Sequence, residues 1–275
     1  MGVLQGRVAI VTGAGRGIGR AIAHKLAREG ASVIVSDLDA DPATATVAEI
    51  TAQGFEASEF VGDVTAPGFA EELIQTTLDR YADIDIIVNN AGYIWNSTIQ
   101  KHSDDQWQAM IDVHATAPFR ILRAASHYFR EAAKKDTQAG RVHCRKVVNI
   151  SSVSGVFGAA TQLAYSAGKA ALVGVTKTLA KEWGRYNITV NCVAFGFIET
   201  RLTQPYEVVP EKIAVKGQQL AVGLPEANMQ HMRNTIPLGR AGTPEDAAGA
   251  VYLLCIPESD YISGQVLVCG GGLTG

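Results

Sequence analysis

The sequence predicts an α/β fold, a doubly wound parallel sheet of seven strands with helices packed on both faces. Three observations lead there. Short apolar runs alternate with longer stretches of helical pattern through the whole chain, as in stacked βαβ units. One of those runs, Val8 to Val11, stops at a glycine-rich turn that opens directly into a helix, VAIVTGAGRGIGRAIAHKLARE. No repeat, low-complexity tract or proline-rich linker breaks the 275 residues, so one domain over 1–275 is expected.

Strands are expected near 7–12, 31–36, 56–61, 84–89, 146–151, 188–194 and 265–269, and helices near 17–29, 42–53, 67–80, 104–134, 163–184 and 244–255. In the first unit the β-rich run gives way to Gly13, Gly15, Gly17 and Gly19, with Arg16 and Ile18 between them. Glycine there lets a ligand approach the main chain without meeting a Cβ. The helix from Gly17 points unpaired N–H groups and the positive end of its dipole into the turn, which favours a phosphate. Eighteen residues past Gly19 the second strand ends at Asp37, placed to bind the 2′-hydroxyl of an adenosine ribose. Strand, turn, helix and acid together predict a Rossmann-type dinucleotide site, although a methyltransferase shares the turn and the acid.

Parallel sheets of this kind bind ligands at the carboxyl ends of their strands. Thr12, Asp37, Asp63 with Val64, Asn89 to Gly92, Ser151 with Ser152, and Gly196 to Thr200 all fall at such ends. In NNAGYIW, Asn89 and Asn90 suit holding a strand end, while Ala91 and Gly92 leave room for a planar group; a plain structural turn is the alternative. The polar stretch Arg130 to Lys146 reads as a solvated surface connection.

Composition narrows the partners. The chain is 47% hydrophobic and 19% charged with a net charge of −3, so no basic face for nucleic acid or anionic lipid is implied and a small-molecule partner is expected. Cys144, Cys192, Cys255 and Cys269 are widely spaced, without a CxxC pair or a histidine cluster, so no metal site is expected and the thiols suit a reducing compartment. No secretory signal opens the chain, and no run of about 20 apolar residues is present to cross a bilayer. A cytoplasmic protein is expected.

The stretch that carries chemistry is VVNISSVSGVFGAATQLAYSAGKAALVGVTKTLAKEW. A buried strand delivers Ser151 and Ser152, a glycine-rich loop follows, and a helix begins near Leu163. Tyr165 and Lys169 are four apart and so share one helix face, with Cβ atoms roughly 6 Å apart. Lys169, with the positive charge of an oxidised nicotinamide, is expected to lower the phenol pKa by about 3, roughly 4 kcal/mol. Tyr165 then serves as base near neutral pH and as acid in reverse, while Ser152 hydrogen-bonds the substrate oxygen during hydride transfer.

These residues resemble the short-chain dehydrogenase/reductase family over nearly the full chain, most of all its 3-oxoacyl-ACP reductase branch. The matching motifs are TGAGRGIG at Thr12 to Gly19, Asp63 after the third strand, NNAG at Asn89 to Gly92, Ser152 thirteen residues before Tyr165, and YSAGK at Tyr165 to Lys169. The resemblance implies Tyr165 as catalytic acid/base, Ser152 as donor to the substrate oxygen, and Lys169 as the residue that binds the nicotinamide ribose. It also implies that Asp63 and Val64 contact adenine, that Asn90 lies by the cofactor ribose, that Ile198 and Thr200 hold the carboxamide, and that the protein is a homotetramer. Three residues depart from the family pattern. His114 stands where a catalytic asparagine is usual, Phe195 where a proline precedes Gly196, and Cys269 where an aspartate often precedes paired glycines.

Asp37 followed by Leu38, with no basic residue there, favours NAD over NADP, while Arg16 pulls toward the 2′-phosphate. From Leu202 to Arg240 an insertion rich in apolar residues is expected to form a helical lid over the substrate. Tyr93, Trp95, Phe157, Phe195 and Phe197 are candidates to line an apolar pocket. The function expected is hydride transfer between a nicotinamide cofactor and a secondary alcohol or ketone, with a 3-oxoacyl thioester as one substrate. A cyclic alcohol, a sugar alcohol or a steroid is the alternative, and a nucleotide-binding regulator without turnover a more distant one.

Overall fold

The computed structural model describes residues 2–200, 205–206, 211–215, 218–225 and 234–273. Its sheet has seven parallel strands, β1 (Val8–Thr12), β2 (Ser32–Asp37), β3 (Ala57–Val61), β4 (Ile86–Asn89), β5 (Arg145–Ser152), β6 (Ile188–Phe195) and β11 (Val266–Cys269). Four short strands, β7 (Pro205–Tyr206), β8 (Glu211–Val215), β9 (Gln218–Val222) and β10 (Leu224–Pro225), lie between β6 and β11 in the chain and outside this sheet. The seven lie in the order β3-β2-β1-β4-β5-β6-β11, so the chain reverses direction across the sheet between β1 and β4. A ligand crevice belongs at that point.

Each inner strand is apolar on both faces because both are covered. Ala9, Val11, Val33, Val35, Val88 and Val148 face one layer, formed by α1 (Gly17–Arg28) and α8 (Pro244–Leu253). Ile10, Ile34, Ile87, Val147 and Val190 face the other, where α3 (Phe69–Tyr81), α5 (Ala117–Gln138) and α7 (Leu163–Trp183) pack. The remaining helices are α2 (Ala40–Ala52), α4 (Asp104–Ile111) and the short α6 (Val153–Phe157). Strand ends lie within two residues of the sequence expectation.

Four differences from that expectation have physical causes. The long helix expected over 104–134 is two helices joined by a π-helical turn at Asp112–Thr116, and such turns mark functional sites more often than chance. The glycine-rich loop after β5 holds α6, whose N-cap is Ser152 accepting from the Ser154 N–H at 3.1 Å. The stretch Arg130 to Lys146 is a solvated connection only in part: 137–142 are exposed, but it begins within α5 and ends buried in β5. Arg145 and Lys146 are 2% and 3% exposed, neutralised by Asp136 at 2.8 Å and Asp260 at 2.6 Å. Finally, in the insertion expected as a helical lid, the described residues between 205 and 225 are strands apart from Gly223, and 234–240 are a helical pair and turns. There β8 pairs antiparallel with β9, and β7 pairs with β10. Ile213 with Val215 and Leu220 with Val222 alternate at period two, which suits a strand. The rest of that expectation lies outside the described residues.

Candidate active site

The glycine turn leaves β1 with Gly13 at φ +63° and Gly17 at φ +54°, a region where a side chain is strained. A Cβ on Gly17 would meet Thr200 at ordinary contact distance, with Cγ2 at 3.7 Å, so the turn and the loop after β6 lie side by side. Gly15 is closed in, a Cβ there lying 2.9 Å from Asp37 Oδ2. The N-cap of α1, Arg16, makes no side-chain cap, which leaves the first N–H groups of this 12-residue helix for a ligand. The uncapped start of α1 fits a nicotinamide dinucleotide: its N–H groups and those of the glycine turn would hold the pyrophosphate.

Asp37 is bound to the turn itself. Its Oδ2 accepts the Gly15 N–H at 2.7 Å and its Oδ1 the Asp39 N–H at 3.2 Å. Leu38 is exposed, and Arg16 is drawn to Asp39 at 2.7 Å. Asp63 accepts the N–H and hydroxyl of Thr65, at 2.9 and 2.8 Å, which places Val64 between two apolar clusters.

Across the crevice, β4 delivers NNAG. The Asn90 amide donates to the carbonyls of Thr12 and Gly13, at 2.8 and 3.1 Å, so it ties the two loops together beside the glycine turn. Thr12 Oγ1 accepts the N–H groups of Asn90 and Ala91, both at 3.0 Å. Asn89 donates to Asn149 on β5, which in turn donates to Thr176 on α7, both at 2.9 Å.

Gly92 leaves space that His114 fills, since a Cβ at 92 would lie 2.3 Å from His114 Cε1. The π-helical turn aims this imidazole inward. Its Nε2 lies 2.8 Å from the Tyr93 carbonyl, which can only accept, so Nε2 carries the hydrogen. Nδ1 is buried without a partner among the described residues. Burial, with the charge of Lys169 adding to it, holds the His114 pKa well below the usual imidazole range, so the ring is neutral. Its edge meets the Tyr165 ring at 4.9 Å between centroids and 87° between planes.

Tyr165 and Lys169 rise from the first turns of α7, as their spacing predicts, with Lys169 Nζ 5.7 Å from the phenol ring centroid. Lys169 is 4% exposed and donates to the Ile150 carbonyl at 2.7 Å. Burial lowers its pKa to about 8. The expected depression of the tyrosine is not met by the chain alone. Burial pushes the phenol up to about 12, and the hydrogen bond of the Ser152 hydroxyl offsets only part of this. Lys169 Nζ is held on the Ile150 carbonyl, where it does not offset the burial of the phenol.

The loop after β6 runs beside the turn. A Cβ on Gly196 would lie 2.7 Å from Gly270 Cα, so β6 and β11 end in close contact. Ile198 is 6% exposed, packs in the core and forms a β-bridge with Gly242. Phe195 and Phe197 are also core residues, 5% and 6% exposed, and do not line a pocket. The bulk of Phe195 is absorbed between the sheet, α1 and α8. Tyr93 and Trp95 pack instead with Tyr165, Met110 and Val113, while Phe157 is exposed with Val156 and Leu163. The sequence reading misses Asp39 and the carbonyls of Ile150 and Tyr93. Only Asp39, acidic just after Asp37, leaves a sequence signal.

Sheet order, glycine cradle and the Ser152, Tyr165, Lys169 cluster define a nicotinamide-dependent oxidoreductase. The family described as short chain dehydrogenase matches residues 7–208, and the chain belongs to it. It is 37% identical over 275 residues to a 3-oxoacyl-[acyl-carrier-protein] reductase of Synechocystis sp., covering 99% of each chain. It is 35% identical to the (2S)-[(R)-hydroxy(phenyl)methyl]succinyl-CoA dehydrogenase subunit BbsD of Thauera aromatica, covering 98% of this chain and 97% of that one. Among solved structures it resembles one described as a putative NAD(P)-dependent gluconate 5-dehydrogenase of Beutenbergia cavernae with bound NADP at low occupancy. The TM-score is 0.80 at 30% identity, covering 98% of this chain and 97% of the other. The chain is thus a short-chain oxidoreductase that uses a nicotinamide cofactor on a small molecule.

Proposed function

We propose that the protein interconverts a secondary alcohol and its ketone on an acyl thioester, with NAD as cofactor and Tyr165 as the acid/base. One observation carries the catalytic reading: Tyr165 and Lys169 share one face of α7 with the ammonium 5.7 Å from the phenol ring centroid, where Ser152 at the end of β5 acts to lower the phenol against its burial. A substrate oxygen bound between the Ser152 and Tyr165 hydroxyls receives two hydrogen bonds that fix its carbon. In reduction the phenol gives its proton to the developing alkoxide; in oxidation it takes the proton back. When bound, the oxidised nicotinamide supplies the hydride acceptor and a positive charge. Lys169, with one N–H on Ile150, keeps its others for the nicotinamide ribose. His114 is a positioning residue rather than a proton donor, because its N–H is taken by Tyr93 and its ring is neutral.

The thioester reading draws on two relatives whose names specify acyl-carrier-protein and CoA substrates, and on the exposed apolar residues Val156, Phe157 and Leu163 close to Ser152 and Tyr165 in the chain. A polyol, the substrate class of the gluconate enzyme, has little use for such surface. With NADH, a 3-oxoacyl thioester is expected to turn over at least about a hundredfold faster than a 5-keto sugar acid, a difference of roughly 3 kcal/mol. Turnover of the sugar acid alone overturns this reading.

NAD is favoured by the carboxylate of Asp37, which would repel a 2′-phosphate; a kcat/KM preference for NADP refutes it. A cytoplasmic homotetramer and a single domain over 1–275 complete the proposal. Exposed Leu253, Tyr261, Ile262 and Leu267 around the β11 edge support the assembly, which sedimentation tests, and the free cysteines suit a reducing compartment.

A further inference from the structure

Three charged groups meet where the glycine turn faces the start of α2. Asp37 is anchored to the Gly15 N–H at 2.7 Å and so cannot swing away from the ribose position. Arg16, the next residue of the turn, donates from Nη1 to Asp39 Oδ2 at 2.7 Å, with the two side chains 48% and 51% exposed. Asp39 is the N-cap of α2 but its carboxylate makes no cap hydrogen bond. The turn is further pinned to α2 by Thr46, whose hydroxyl donates to the Gly15 carbonyl at 3.2 Å, so Arg16 starts from a fixed backbone.

We propose that Asp39 is a cofactor-specificity residue: by pairing with Arg16 it withholds the cation of the glycine turn from a ribose 2′-phosphate. The inference rests on the NAD reading above. With Asp39 present, Asp37, Arg16 and Asp39 sum to a charge of −1 facing the 2′ position, which accepts a hydroxyl and repels a phosphate dianion. Without it the sum is zero and Arg16 is released as a planar donor suited to phosphate. Because the pair is half exposed it contributes little to stability. Its effect is to fix where the guanidinium points.

The test compares adenosine 2′,5′-bisphosphate with adenosine 5′-monophosphate, which differ only in the 2′-phosphate, by calorimetric titration of the whole protein. Asp39→Asn keeps a good N-cap residue, so α2 is retained. The variant is expected to raise affinity for the bisphosphate relative to the monophosphate by about tenfold, the worth of one partly exposed charge-assisted hydrogen bond. The gain should shrink with added salt and disappear in Asp39→Asn with Arg16→Ala. A ratio within twofold of the parent overturns the proposal, as does a gain that survives Arg16→Ala. A parent protein that already binds the bisphosphate at least about tenfold more tightly overturns the NAD reading and this inference with it. A parent that favours the monophosphate, with a flat Asp39→Asn, sinks the role of Asp39 alone.

Discussion

Replacing Lys169 by methionine removes a buried amine of similar length and tests the desolvation on which its role depends. In the folded chain the ammonium has a pKa of about 8 against 10.5 in water, because it is 4% exposed. The unfolded chain therefore binds more protons between pH 8 and 10.5, and stability rises with pH across that window. From pH 7 to pH 9 the single amine contributes about 1.4 kcal/mol, and through pH 10.5 about 3 kcal/mol in all. Cys192, whose thiol burial pushes up to about 11, works in the opposite sense at higher pH, so the measurement belongs at or below pH 9. Urea unfolding of parent and Lys169→Met at pH 7, 8 and 9 reads the difference. The parent should gain about 1.4 kcal/mol more than the variant. Parallel profiles would refute the depressed amine and the burial argument behind it.

Other perturbations probe other parts of the site and fold. Tyr165→Phe should cost at least about a thousandfold in turnover while leaving NAD binding, followed by cofactor fluorescence, within about threefold; undiminished turnover removes Tyr165 from the mechanism. Gly92→Ala should destabilise by about 1–3 kcal/mol, because its Cβ would lie 2.3 Å from His114 Cε1. In a His114→Ala background that cost should largely vanish, and an equal cost in both backgrounds contradicts the contact. Asp85 accepts from Val8 N–H and Arg7, both at 2.8 Å, and from His143, which together hold its pKa below the usual carboxylate value despite burial. Its stabilisation is present above about pH 4 and lost as pH falls through its lowered pKa. Asp85→Asn should cost about 3 kcal/mol at neutral pH and flatten the acid limb of a thermal-stability profile.

Much of this molecule is legible from residue order alone, for identifiable reasons. Parallel strands buried on both faces leave near-continuous apolar runs, so β1 and β5 can be placed to within a residue. The glycine turn is readable because its positive φ angles and close approach to Asp37 exclude other side chains. Tyr165 and Lys169 are readable because helical spacing alone puts them side by side. The features that escape depend on partners remote in sequence. Nothing local says that Arg145 finds Asp136 in the interior, or that Lys169 reaches the Ile150 carbonyl. The phenol pKa is misjudged from sequence because spacing reports proximity to an amine and says nothing of dehydration. Phe195 and Phe197 are misplaced because an aromatic in a loop looks the same whether it points at a ligand or into the interior.

The π-helical turn at Asp112–Thr116 has a consequence for how the chain tolerates length changes. A widened turn sets a phase offset between the helical segments on either side, and each residue added to or removed from an α-helix rotates the downstream segment by about 100°. Deleting one residue there would let α4 and α5 merge into one regular rod and swing the imidazole of position 114 off the tyrosine. The segment is thus a mechanical register, sensitive to residue number as well as residue type.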